Sequence, residues 1–240
     1  MLSIIIPTLN EEKILERTLK ALRVLNTVDY EVIVSDGAST DRTVEIAKKY
    51  ADKVVVHDGK TRQNIGTGRN AGAAVAKGDI LLFIDADVFI PDINDFFVQT
   101  LSLFDRNPKL AGLTVFLKVL PEHVTLSDKL FFGITNRINQ FFNNFLHMGT
   151  ASGEFMMIRS GAFREINGFN PKLVVAEDND LFGRLSKIGQ TRIETGLHVM
   201  HTSRRAHAIG WPWLLTLWIG ELAYVKLRKK SFSREWRVIR

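Results

Sequence analysis

The first third of the chain alternates short runs of aliphatic and β-branched residues with amphipathic segments. The pattern predicts strands at residues 2–6, 31–35 and 53–56, with helices at 11–25 and 41–50 between them. Because neighbouring parallel strands need a crossover connection, which is usually a helix, this order predicts a mostly parallel sheet covered on both faces. The predicted fold class is therefore α/β, with helices flanking a central sheet.

Further elements follow in the same alternation. A helix rich in Ala and Gly is predicted at residues 67–77, where small side chains allow close packing on the sheet, and an apolar strand is predicted at 80–84. Beyond them, the pattern predicts helices at 94–104, 126–146 and 211–225, and strands at 110–119 and 155–158. With no repeat or linker in 240 residues, we expect one large domain and a C-terminal appendage.

Composition limits the partners and the chemistry. The 32 Lys and Arg residues against 26 Asp and Glu give a net charge of +6, which favours anionic partners such as sugar nucleotides, lipid phosphates or an acidic membrane surface. The absence of Cys excludes a disulfide framework and a thiolate metal site. The first apolar run lacks a preceding basic region and ends at Pro7, so we expect no cleavable signal and a cytoplasmic location.

The strand predicted at 80–84 runs directly into Asp85-Ala86-Asp87. This strand is apolar throughout, which indicates burial, and open α/β sheets bind ligands at the carboxyl ends of their strands. Alternate residues of an extended chain face the same way, so the two carboxylates can converge on one target. Like charges this close favour a cation between them, and carboxylate oxygens suit Mg²⁺ or Mn²⁺ with phosphate oxygens as further ligands. The element predicts a divalent metal ion that bridges a diphosphate.

Four other segments accompany Asp85-Ala86-Asp87. They are residues 3–12 (SIIIPTLNEE), 34–43 (VSDGASTDRT), 64–72 (NIGTGRNAG) and 176–181 (AEDNDL). In this order, the five segments resemble the family 2 glycosyltransferases of the GT-A fold. The resemblance implies an inverting transfer of one sugar, of the hexosyl type, from a UDP- or GDP-sugar to an acceptor hydroxyl, with Mn²⁺ or Mg²⁺ as the cofactor.

The absence of an internal repeat or linker, together with the extent of the resemblance, predicts how the chain is divided. We expect residues 1–207 to form the catalytic domain, with a nucleotide-binding half at 1–90 and an acceptor-binding half at 91–207. We expect residues 208–240 to form an amphipathic helical and basic tail.

Specific residues of the matched segments are implied to bind the donor and the metal. The residues expected to border the sugar nucleotide are Pro7, Thr8, Glu11, Asp36, Arg69, Asp85 and Ala86. Asp87 is the firmer metal ligand, and Asp85 serves the metal, the ribose or a metal-bound water. His201 follows a predicted strand and is a third candidate ligand, with a structural histidine as the alternative.

The acidic segment at 176–181 is implied to carry the catalytic base. An inverting transfer needs one carboxylate to accept the proton of the attacking hydroxyl, and by resemblance this is Asp178, with Glu177 beside it to bind the acceptor or orient the helix end. Acidic residues at a helix start are ordinarily caps, and this account covers Asp180. Arg204 and Arg205 can neutralise the departing diphosphate, with solvated surface as the alternative.

The acceptor and the appendage are less constrained. The segment 211–225 is short for a spanning helix and carries Glu221, so a peripheral membrane contact through residues 211–230 is expected, with a docked helix or an oligomer contact as the alternatives. The acceptor is expected to be a glycan or lipid-linked, and the Phe-rich stretch at 131–145 either shapes an acceptor site or forms core. No Gln-x-x-Arg-Trp element is present, which favours transfer of a single sugar over polymerisation.

Two other functions remain open at this point. A sugar nucleotidylyltransferase uses a related sheet, but this chain lacks the Gly-rich loop with a basic residue that opens that family. A catalytically silent, membrane-associated sugar-nucleotide-binding module would keep the fold, but the presence of both Asp87 and Asp178 argues against it. No nucleic-acid partner is expected.

Overall fold

The computed structural model describes residues 1–61, 63–228 and 230–233. Its strands are β1 (Leu2–Thr8), β2 (Tyr30–Asp36), β3 (Lys53–Val56), β4 (Ile80–Ile84), β5 (Leu110–Val119), β6 (Phe155–Arg159) and β7 (Gln190–His201). Its helices are α1 (Leu15–Leu22), α2 (Thr43–Tyr50), α3 (Ile65–Ala74), α4 (Ile93–Arg106), α5 (Leu126–Gln140), α6 (Ser160–Glu165), α7 (Glu177–Leu185), α8 (Arg204–Ile209) and α9 (Trp211–Arg228).

The strands form one sheet in the order β3-β2-β1-β4-β6-β5-β7. Strand β1 is parallel to β2 and β4, β2 is parallel to β3, and β5 is parallel to β7. Strand β6 is antiparallel to both of its neighbours, β4 and β5. All strands except β6 therefore run in one direction, and the carboxyl ends of β1, β2, β4 and β7 lie at the same edge of the sheet.

Both faces of the sheet are buried, as the crossover pattern predicts. On β1, Leu2, Ile4 and Ile6 pack into one apolar core, and Ile5 packs into a second core on the opposite face. Helix α3 packs very closely on the sheet face that carries Ile5. A Cβ atom on Gly72 would lie only 2.5 Å from Cγ2 of Ile5. The mostly parallel sheet with helices on both faces confirms the predicted α/β class.

Strands β3, β4 and β5 begin and end where the sequence predicts them. The helix predicted at 11–25 is shorter and spans Leu15–Leu22, and the short helices α6 and α8 were not predicted. Among the described helices, none is long and apolar enough to span a bilayer.

The segment predicted as a helix at 126–146 differs from the prediction in its end and in its orientation. Helix α5 ends at Gln140, and the π-helical turn Phe141–Phe145 follows it. Apolar residues at helical spacing usually form core, but Leu130, Ile134 and Ile138 are exposed. The buried side of the segment carries Phe132 together with polar residues, among them Asn136 and Asn143.

Candidate active site

Asp36 is fully buried at the carboxyl end of β2, directly beside Thr8 of β1. Its carboxylate accepts hydrogen bonds from Thr8 Oγ1 at 2.9 Å, from the backbone N–H of Ser39 at 2.8 Å and from Ser39 Oγ at 2.5 Å. Pro7 precedes Thr8 on β1 and is half-buried. The structure thus brings Pro7, Thr8 and Asp36 together, as expected for residues at one edge of a parallel sheet.

Arg204 connects the loop after β1 with the loop after β4. Its Nη1 lies 2.9 Å from Glu11 Oε2, and its Nε lies 3.2 Å from Asp87 Oδ2. Thr202 donates a further hydrogen bond to Asp87. Glu11 and Asp87 are both more than nine-tenths buried as side chains, so Arg204 neutralises two carboxylates that would otherwise be desolvated without a counter-charge.

A cleft of about 420 Å³ opens beside this group of charges, a size that suits a small-molecule ligand. Its walls include Glu11, Asp41, Thr202, Arg204 and His207. The loops after β1 and β7 therefore border open space at the edge of the sheet where the carboxylates lie.

Arg69 lies beneath the site rather than in the cleft. Helix α3 carries it to a fully buried position, where Nη1 donates to Glu177 Oε1 at 2.8 Å and Nη2 donates to Asp85 Oδ1 at 3.0 Å. Nη2 also donates to the backbone oxygen of Gly153 at 2.9 Å. One guanidinium therefore joins the carboxylates after β4 to the acidic start of α7.

Arg69 compensates the negative charge of Asp85 only in part. Burial raises the pKa of Asp85 to about 7, and although Arg69 opposes the shift, the nearby charges of Glu154 and Asp87 add to it. A divalent cation between Asp85 and Asp87 would relieve this repulsion. Ala86, between them, is buried, and its backbone oxygen accepts from Thr18 Oγ1 at 2.5 Å, which fixes the loop that carries both acids.

These carboxylates fit a divalent metal ion of the Mg²⁺ or Mn²⁺ kind, which takes oxygen ligands and completes its coordination with phosphate and water. Within the described residues, however, no three His, Asp or Glu side chains converge as a complete set of ligands. Asp85 and Asp87 would therefore hold the ion together with donor phosphate oxygens.

His201 is buried at the end of β7, with its ring packed edge-on against Phe132 at 5.1 Å between centroids. Its Nδ1 accepts from the backbone N–H of Ser203 at 3.2 Å, which places the ring proton on Nε2. Nε2 has no hydrogen-bond partner within the described part of the chain. Ligation through Nε2 would require loss of the Ser203 hydrogen bond, so His201 as a metal ligand stays a prediction.

Asp178 lies in the first turn of α7, where its Oδ1 accepts from the backbone N–H of Asn179 at 2.7 Å. Burial raises the pKa of Asp178 to about 8, and the neighbouring charges of Glu177 and Glu154 act in the same direction. Asp180 pairs with Arg184 at 2.7 Å, which agrees with a structural role.

Sequence reasoning did not single out Glu154 or Thr202. Glu154 acts on both Asp85 and Asp178, and it precedes β6, the antiparallel strand inserted beside β4. Thr202 contacts Asp87 from 115 residues away. The only sequence signal for Thr202 was its place directly after His201.

The model of glycosyl transferase family 2 matches residues 3–166. Because this match covers more than half of the chain, the chain belongs to glycosyl transferase family 2. The validoxylamine A glucosyltransferase of Streptomyces hygroscopicus subsp. limoneus is 37% identical over 93 residues, which make up 37% of this chain and 20% of that protein. A Haemophilus influenzae glycosyltransferase is 34% identical over 111 residues, 46% of this chain and 36% of its own length. The chain thus spans at most 36% of the length of these two relatives.

Solved structures with the same fold extend the similarity beyond the family match. The mannosyltransferase PcManGT from Pyrobaculum calidifontis, in complex with GDP-Man and Mn²⁺, superposes with a TM-score of 0.68 at 18% identity, over 84% of this chain and 56% of that one. TarS of S. aureus with UDP-GlcNAc gives 0.67 at 22% identity, over 85% and 58% of the two chains. At this level of identity the similarity establishes the GT-A fold.

Proposed function

We propose that this protein is an inverting, metal-dependent glycosyltransferase that moves one hexosyl unit from a UDP- or GDP-sugar to an acceptor hydroxyl. The observation that carries the proposal is the connection Asp85–Arg69–Glu177, which links the acidic segment after β4 to the residue that precedes Asp178 at the start of α7. This connection supports a donor site and a base that belong to one group of linked side chains.

The nucleoside part of the donor would bind at the ends of β1 and β2, among Pro7, Thr8, Glu11 and Asp36. Holding the donor at several points removes the translational freedom that a bimolecular encounter otherwise costs. Asp87 and Asp85 would hold the divalent ion, which supplies Lewis-acid stabilisation of the departing diphosphate when bound. PcManGT and TarS, which share the fold, were crystallised with a nucleotide sugar, PcManGT also with Mn²⁺.

Asp178 would accept the proton of the acceptor hydroxyl while that oxygen attacks the anomeric carbon. The new bond forms as the bond to the diphosphate breaks, so a single displacement inverts the anomeric centre and no covalent sugar–enzyme bond forms. Because the pKa of Asp178 is raised to about 8, its ionised form is a stronger base than an ordinary aspartate, and that form prevails only above this pH. Glu177, held by Arg69, would fix the start of α7 rather than take the proton itself.

The acceptor is proposed to be a glycan or a lipid-linked molecule, and residues 211–230 to form a peripheral membrane contact from the cytoplasmic side. Thermal unfolding with a panel of nucleotide diphosphates, with and without Mn²⁺, tests the donor site, because a ligand of the folded state raises its stability. A shift that is specific for UDP or GDP and larger with Mn²⁺ supports the proposal. An equal, metal-independent response to every nucleotide contradicts it.

Pyrophosphate exchange separates the proposal from a nucleotidylyltransferase. A glycosyltransferase releases a nucleoside diphosphate and incorporates no labelled pyrophosphate into the nucleotide sugar. Incorporation by the wild-type protein would favour the other class.

A further inference from the structure

Helix α5 and the turn after it expose a continuous row of apolar side chains. Leu126, Leu130, Ile134 and Ile138 follow at intervals of four residues, which places them on neighbouring turns of one helix side. Leu130 is 66% exposed, and Phe145 in the following turn is 67% exposed. We call this surface the α5 face; it consists of the exposed side chains of Leu126, Leu130, Ile134, Ile138, Phe141 and Phe145.

Hydrogen bonds on the opposite side hold α5 in this orientation. Asn136 accepts from the backbone N–H of Leu117 at 3.0 Å and donates to the backbone oxygen of the same residue at 2.9 Å. Asn143 donates to the backbone oxygen of Thr150 at 2.7 Å. Rotation of the apolar side into the protein would leave these buried polar groups without partners, at an energetic cost. The α5 face is therefore an outward surface by construction.

Helix α9 packs beside α5 and also exposes apolar side chains. The Trp211 ring stacks on Phe131 at 3.8 Å between centroids, and the Trp218 ring lies 5.9 Å from Phe131. Elsewhere on α9, Trp213 and Ile219 are each 64% exposed. Two adjacent helices thus expose large apolar side chains, and a large exposed apolar area on a protein often marks an interaction surface.

The exposed charges of residues 124–153 and 204–230 that the structure describes are positive. The only acidic residue between 124 and 153 is Asp128, and the only one between 204 and 230 is Glu221. Asp128 is fully buried, and Glu221 is 3% exposed and accepts from the backbone N–H groups of Phe232 and Ser233. The exposed charged residues that the structure describes here are basic, among them Lys129, Arg137, Arg228 and Lys230.

The geometry points to an anionic lipid surface as the partner of the α5 face and of the adjacent α9. Apolar side chains flanked by Lys and Arg, with Trp among them, match the boundary between acyl chains and anionic headgroups. A second copy of the chain fits less well, because self-association would bring Lys129 and Arg137 of two molecules together without an exposed acid in these segments to compensate them.

Asp128 links α5 and α9 to the segment that carries Arg204. Its carboxylate accepts from Trp211 Nε1 at 2.8 Å on one side and lies 2.8 Å from His207 Nε2 on the other. His207 belongs to α8, which begins at Arg204, the residue that pairs with Asp87. For α9 the inference rests on the membrane contact of the proposed function, to which it adds the α5 face and an anionic lipid as the partner; lipid docking itself does not require sugar transfer.

Vesicle flotation tests the inference. Wild-type protein is expected to float with vesicles of phosphatidylcholine and phosphatidylglycerol and to bind vesicles of phosphatidylcholine alone at least about tenfold less. The double variant Ile134→Gln/Ile138→Gln is expected to reduce binding to anionic vesicles by about tenfold or more. The matched control is Val98→Gln, because Val98 is 48% exposed on α4, outside both segments, and should leave binding unchanged.

Equal binding by the double variant and the Val98 control would overturn the inference, and so would absence of wild-type binding to either vesicle. Light scattering adds a further outcome: a wild-type dimer that the double variant abolishes would make the α5 face a self-association surface and also overturn the inference. The nucleotide-induced thermal shift is measured on the same variants. Its retention in a protein that does not bind vesicles separates failure of the docking surface from failure of the proposed function.

Discussion

The guanidinium of Arg204 is paired with Asp87, with Nε 3.2 Å from Oδ2, and the same group reaches Glu11. Asp87 is the carboxylate expected to be the firmer metal ligand. The guanidinium of Arg204 therefore supplies part of the counter-charge that a divalent ion would supply at Asp87. Metal and Arg204 are expected to compete for Asp87 until a diphosphate arrives, to which the guanidinium can then donate.

Replacement of Arg204 by Met should increase the affinity of the nucleotide-free protein for Mn²⁺. Removal of a competing charge worth about 1.4 kcal/mol corresponds to a tenfold lower Kd. Titration of free Mn²⁺ by electron paramagnetic resonance measures the effect directly. Arg17→Met, which removes an exposed pair with Glu122, is the control and should change nothing. Weaker Mn²⁺ binding by Arg204→Met would mean that Arg204 helps to build the metal site.

The variant Asp178→Asn should lose transfer and keep donor binding. The amide cannot accept the proton of the acceptor hydroxyl, and loss of a general base typically lowers the rate by about 10²- to 10⁴-fold. Single-turnover transfer and the Kd for the nucleoside diphosphate are the two measurements. Asp180→Asn, which only breaks the pair with Arg184, should retain most of the activity. Unchanged transfer by Asp178→Asn would show that another group takes the proton.

The raised pKa of Asp178 also predicts how stability depends on pH. Between its ordinary value of 3.8 and its value in the folded protein of about 8, Asp178 holds a proton more often in the folded than in the unfolded chain. The contribution of this group to stability is therefore present at low pH and is lost as the pH rises through this range. Urea unfolding across the range should show that Asp178→Asn depends less on pH than the wild type. An identical slope would contradict the raised pKa.

Arg69 is expected to be a major contributor to stability. Its loss in Arg69→Met leaves Asp85 and Glu177 without their shared partner, and breaking a buried pair in this way typically costs about 3–5 kcal/mol. Chemical denaturation measures the change in the free energy of unfolding. The double variant Arg69→Met/Glu177→Gln should recover part of the loss, because it removes one of the two uncompensated charges. A loss no larger than that of Arg17→Met would show that the buried pairs contribute little.

The sequence predicted the sheet edge well because burial leaves a clear pattern there. Strand β4 is apolar at every position, so its ends and the place of Asp85 could be read from the chain. The contact between Arg204 and Asp87 could not be predicted, since it joins residues 117 positions apart through the path of β7. The exposed apolar side of α5 was equally hidden, because Asn136 is held inside by the backbone of β5 rather than by its own neighbours in sequence.

Because Gly72 has no side chain, α3 can lie close to the sheet next to the active site. A Cβ atom there would lie 2.5 Å from Cγ2 of Ile5, so either the Ile5 side chain or α3 would have to shift. Arg69 lies about one turn earlier on the same helix. The close packing of α3 at Gly72 therefore helps to position Arg69 for its hydrogen bonds to Asp85 and Glu177. The bridge between the two acidic segments of the site thus depends on close helix packing at Gly72, a residue with no reactive group of its own.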